Sequence, residues 1–174
     1  MTADIRTDAR RSASILARGG ARRTILVGAQ AGLLGGCIIW LYEACVWVGA
    51  QHQMPLSGIP ANAVGLVFGK ATQVGLGPLA YVLGTTIHFA FAIAWGVLFA
   101  FLWPALRARR IEATLAALVY AVAAWLVMHL AIMAVSTSHP NYADPNVIIG
   151  GFMSHIFFTV PLALLVKHRL AAGV

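Results

Sequence analysis

Four long apolar runs, at about residues 24–49, 79–103, 112–135 and 147–167, dominate the chain and leave it few ways to fold. Each is as long as the roughly 20 helical residues needed to cross a hydrocarbon core of about 30 Å. In lipid a spanning segment must satisfy its own backbone N–H and C=O groups, and a single run of this length does so as a helix. The expected fold is therefore all-α: a polytopic membrane protein with four transmembrane helices in an antiparallel bundle and the lipid bilayer as its first partner. Composition agrees, because 60% of the 174 residues are hydrophobic and only 10% are charged. Soluble domains carry roughly 25% charged residues, so too little polar sequence is present for a separate soluble module.

The net charge of +7 could suit nucleic acid, yet the cations sit at the ends of the apolar runs. Membrane topology explains them there, and no nucleic-acid partner is expected. Residues 1–23 hold six Arg and two Asp and read as a basic cytoplasmic tail, leaving residues 24–170 as the transmembrane domain. The first run is too long for a signal-peptide core and lacks a small-residue cleavage site after it, so it is expected to be retained. Pro104, Arg107, Arg109 and Arg110 form a basic turn between the second and third runs, and Lys167 and Arg169 close the fourth. The opposite connections carry only Lys70 and Asp144. By the positive-inside rule both termini and the Arg107 turn are cytoplasmic.

The outer loop of residues 50–78 has Gly and Pro at both ends and a mildly apolar middle. It is too short to cross and return, so an interfacial or re-entrant helix is expected there. The other outer loop, STSHPNYADPN, is turn-rich. Surface exposure is expected for His52, His139 and His168. Cys37 and Cys45 lie about 12 Å apart along one helix, cannot bridge each other, and are assigned to packing.

Each run carries one ionisable residue inside it: Glu43, His88, His129 and His155. At 1.5 Å per residue they lie about 9, 13, 9 and 12 Å from the outer ends of their helices, all at one level in the outer half of the bilayer. A charge at that depth is costly unless it has a partner or a task. Helical spacing puts Gly28, Gly32, Gly36 and Trp40 in a row leading towards Glu43, and Gly84, His88, Ala92 and Gly96 in a similar row. Such small-residue faces admit a second helix closely. Trp125, His129 and Met133 share a face of the third helix. Gly151, His155 and Thr159 share one of the fourth, ahead of a kink expected at Pro161.

Three imidazoles and a carboxylate can form the first coordination sphere of a transition-metal ion, so Glu43, His88, His129 and His155 are the candidate metal ligands. Two alternatives stand beside this. Haem b would use two of the histidines between apolar walls such as Trp40, Phe89, Phe91, Trp95 and Phe158, making the chain a haem-binding or accessory subunit of a membrane redox complex. A cofactor-free proton-responsive protein would use the same groups as titrating sites. The bland alternative is interhelical hydrogen bonding by each histidine. Met128, Met133 and Met153 are read as packing residues. No Ser/His/Asp set, nucleotide loop or paired carboxylates point to an enzyme. Transport would require four helices to oligomerise around a pathway.

Four short motifs occur in helix order: Trp40-x-x-Glu43; His88-x-x-Phe91-x-Ile93-x-Trp95; Val127-Met128-His129; and Ser154-His155-Ile156-Phe157. Together, over about two thirds of the chain, they resemble the YagU-like family of bacterial inner-membrane proteins. The resemblance implies an inner-membrane location, a link to acid or stress tolerance, and Glu43, His88, His129 and His155 as the positions of interest. It supplies no reaction or ligand. The chain departs from the family pattern after Glu43, where ACVWVGAQHQ replaces a proline-rich stretch, and in its shorter outer loop.

Overall fold

The computed structural model describes residues 2–135 and 141–171, with side chains from residue 19 onward except at 132, 133 and 135. The sequence readings of His139, of the Met133 side chain and of the tail's side chains up to Arg18 lie outside the described residues. Helix α1 spans Thr2–Glu43 and passes directly into a π-helical segment, Ala44–Ala50. Short helices α2 (Gly58–Phe68) and α3 (Lys70–Leu76) follow, then the long helices α4 (Leu79–Ala108), α5 (Ala113–Val135) and α6 (Pro145–Ala171). Four helical stretches are long and apolar enough to cross a membrane: Gly19–Ala50, Leu79–Ala108, Ala113–Ala131 and Pro145–Ala171. The protein is thus a multi-pass, four-helix membrane bundle.

Local chemistry accounts for several boundaries that differ from the hydropathy reading. The basic tail is helical and continuous with the first span, because no proline precedes Pro55 and Ala, Arg and Leu favour the helix. Helix α4 runs through Pro104 to Ala108, since a proline near the helix end removes a single hydrogen bond. It stops at Arg110, which takes φ +58°. There the Ile111 N–H reaches back to Leu106 O at 3.1 Å, a Schellman-type ending. Asp144 starts α6 by accepting the Asn146 N–H at 2.9 Å, with Pro145 in the first helical position, where a missing N–H costs nothing. Pro161 lies inside α6 with no interruption of the helix.

Helix α1 packs along both α4 and α6, and α5 packs on α6. The α1–α4 seam is the closest. A Cβ placed on Gly28 would stand 2.5 Å from Val97 Cα, and one on Gly32 2.8 Å from Ile93 Cα. The two predicted glycine rows therefore do meet, but only in part: Ala92 and Gly96 face α1, while Gly84 receives the Pro60 carbonyl of α2. The outer loop accordingly contributes a short apolar helix laid against α4, with Ala61 and Val64 buried. Deeper in the bundle, Phe99, Leu162 and Val166 are fully enclosed. Buried Thr159 donates to Ala117 O at 3.0 Å, and the Tyr120 hydroxyl joins α5 to α4 through Trp95 O at 2.8 Å.

The basic residues gather at one end, as the charge pattern requires. Arg23 donates to Arg169 O at 2.8 Å, and Lys167 pairs with Glu112 at 3.0 Å. That lysine holds the Glu112 carboxyl below its ordinary range, first by hydrogen bonding and then by charge. Large apolar side chains such as Leu41, Val82, Leu130 and Ile149 point outward, the surface that lipid covers.

Candidate functional site

At the opposite end from the basic cluster, α1, the π-helical segment, α2, α4, α5 and α6 enclose a cavity of about 430 Å³. Glu43, His88, His129 and His155 all line it. Four residues separated along the chain, one per spanning helix, thus face one space, as their common level suggested.

The histidines are oriented by backbone carbonyls. His129 Nδ1 donates to Trp125 O and His155 Nδ1 to Gly151 O, each at 2.7 Å and each one turn back along its own helix. His88 Nε2 donates across the α1–α4 seam to Gly36 O at 3.0 Å. A carbonyl only accepts, so the bonded nitrogen carries the proton and, in a neutral ring, the other nitrogen keeps its lone pair. Nε2 of His129 and His155 and Nδ1 of His88 are therefore the free acceptors. Fixing one ring nitrogen on a carbonyl so that the other can bind is the usual arrangement behind a metal-ligating imidazole.

The four candidates are not equally close. His129 and His155 form a pair with ring centres 6.1 Å apart. His129 Nε2 lies 3.9 Å from where a Gly151 Cβ would stand, beside the carbonyl that holds His155. His88 instead stacks on Trp40 at 5.8 Å, on another wall. Glu43, the last residue of α1, makes no hydrogen bond or ion pair to a described residue. Among the described residues no three of His, Cys, Asp or Glu are grouped closely enough to hold a metal ion together. The structure thus gathers two of the expected ligands and leaves Glu43 and His88 across the cavity.

Two features of the site were not read from sequence, the π-helical turn and Asn62. Trp47 lines the cavity from the π-helical segment, and π-helical turns concentrate at functional sites. No pattern in ACVWVGA announces that conformation. Asn62 lines it from α2; a polar residue amid the apolar GIPANAVGLVF was the available signal. The indole N–H groups of Trp40, Trp47 and Trp125 and the Tyr142 hydroxyl are buried without hydrogen-bond partners among the described residues. Tyr142 packs its ring 5.8 Å from His129, and burial raises its phenol above the ordinary value. Among the described residues, no Lys or Arg lines the cavity.

No protein-family model, curated protein or solved structure matches the chain.

Proposed function

We propose that this membrane protein binds a transition-metal ion, with His129 and His155 as the primary ligands, in the bacterial inner membrane. The observation that carries the reading is the imidazole pair itself. Two rings that share one ion through one nitrogen each, with bonds of about 2.0–2.1 Å, have centres roughly 5–6 Å apart. The 6.1 Å between His129 and His155 lies just beyond that range, within reach of a small ring movement. Both rings also keep Nε2 free by committing Nδ1 to a carbonyl. Imidazole suits Zn, Cu, Ni and Fe. The remaining coordination positions would face the cavity, where Glu43 supplies the negative charge and His88 a third nitrogen after side-chain movement. The inner-membrane assignment rests on the resemblance to the YagU-like family and on the basic end of the bundle.

Elemental analysis of purified wild type, His129→Ala and His155→Ala tests this. About one ion per chain in wild type and a loss in both variants is expected. Equal, substoichiometric metal in all three refutes it. The same pair could clasp haem b, and a Soret band in the purified protein would replace the free ion by haem.

A further inference from the structure

A single ion fills little of a 430 Å³ cavity, which falls within the roughly 300–1,000 Å³ typical of sites for small organic molecules. The lining holds one carboxylate and, among the described residues, no Lys or Arg. Three imidazole nitrogens are left as acceptors by the bonds that their partner nitrogens make. Glu43 adds a carboxylate with no hydrogen-bonded or ionic partner among the described residues. No Lys or Arg faces it, because the basic residues described stand elsewhere, most of them at the far end of the bundle. A carboxylate in a largely apolar cavity stays ionised only with a counter-charge beside it, so an occupant carrying one positive charge would hold Glu43 in its charged form.

The remainder of the lining holds the amides of Gln53, Asn62 and Asn141 and the Ser154 hydroxyl and is otherwise mainly apolar and aromatic, with Trp47 and Phe91 among it. Such surfaces attract organic cations through their ring faces. Helices α4 and α5 are joined at Tyr120, which touches Trp95 and Phe99. Further towards the outer end, Phe91 of α4 and Ala131 of α5 both line the cavity and are exposed on the bundle surface, Phe91 by 44%. These two side chains thus reach from the cavity to the surface that lipid covers.

We infer that the cavity is a binding site for a lipophilic ammonium ion, entering from the bilayer between α4 and α5 and held by Glu43 as its counter-charge. An N–H-bearing ammonium fits better than a quaternary one, because directional acceptors surround it. The ammonium would use Glu43 and imidazole nitrogens that the proposed metal ion also uses, so the two occupants compete and are read separately, the ammonium on metal-stripped protein and the metal on unstripped protein.

The test uses full-length protein in detergent micelles, stripped of metal with a chelator. Saturable binding of 1-naphthylmethylammonium is compared with that of its neutral isostere, 1-naphthalenemethanol, with empty micelles subtracted. The amine is expected to bind about tenfold or more tightly, the scale of one hydrogen bond to a charged group, and Glu43→Gln to remove that advantage. Equal affinity for the amine and the alcohol on wild type, or no saturable binding of the amine, overturns the inference. So does undiminished amine binding by a Glu43→Gln protein that elutes like wild type. If that variant does not fold, the isostere comparison on wild type still decides. Metal content in the unstripped protein stands or falls independently of either result.

Discussion

Gly32 is where one methyl group would force the α1–α4 seam apart. In Gly32→Ala the new Cβ would meet the Ala92 carbonyl and stand 2.8 Å from Ile93 Cα. Relaxed carbon contacts lie at about 3.5–4.0 Å, so α1 and α4 must part by roughly 1 Å. A gap of that size forfeits about a quarter to a half of each contact's well of about 0.1–0.2 kcal/mol. Over some tens of atom pairs along the seam the loss comes to about 1–3 kcal/mol, the usual scale of overpacking. The site is affected as well. His88 Nε2 reaches Gly36 O at 3.0 Å across the same seam, one turn further along. Parting the helices takes that distance to about 4 Å, beyond hydrogen bonding, and releases the His88 ring. Reversible unfolding in detergent would measure the stability change, and the Nε2–H resonance of His88 would report the lost bond. Gly19→Ala is the control, because its Cβ meets nothing within 4 Å. If Gly32→Ala unfolds with Gly19→Ala and keeps the His88 signal, the close-packed seam is not what holds α1 to α4.

Two further predictions concern polar ties away from the cavity. Thr159→Val keeps the shape of a fully buried side chain and removes its bond to Ala117 O at 3.0 Å; a loss of about 1 kcal/mol in the same unfolding assay is expected, and an unchanged stability contradicts it. Glu112, held below the ordinary carboxylate range by Lys167, contributes stability above that range and loses it as pH falls through its lowered value. Lys167→Met should move the Glu112 carboxyl up towards its usual titration, seen by carbon NMR of the side chain, and shrink that acid-side loss, with the backbone N–H groups of Thr114 and Ala113 holding what remains. A titration identical in the two proteins counts against the pair.

The number of spans, the basic end and the one-level placement of Glu43, His88, His129 and His155 were all legible in the sequence. Each depends on a local quantity: run length against bilayer thickness, or residues counted along a helix of known rise. The glycine rows were legible for the same reason, since spacing of four puts small residues on one face. Tertiary structure decided what those faces meet. Gly84 packs on Pro60 of α2, where its row suggested a single partner. His88 turns towards a carbonyl 52 residues away and so leaves the pair that His129 and His155 form. The π-helical segment that brings in Trp47, and the cavity between the helices, depend on how whole helices sit against one another. Helical period fixes which residues share a level and a face; ring rotation, proton position and the shape of the space between helices are set by neighbours distant in the chain.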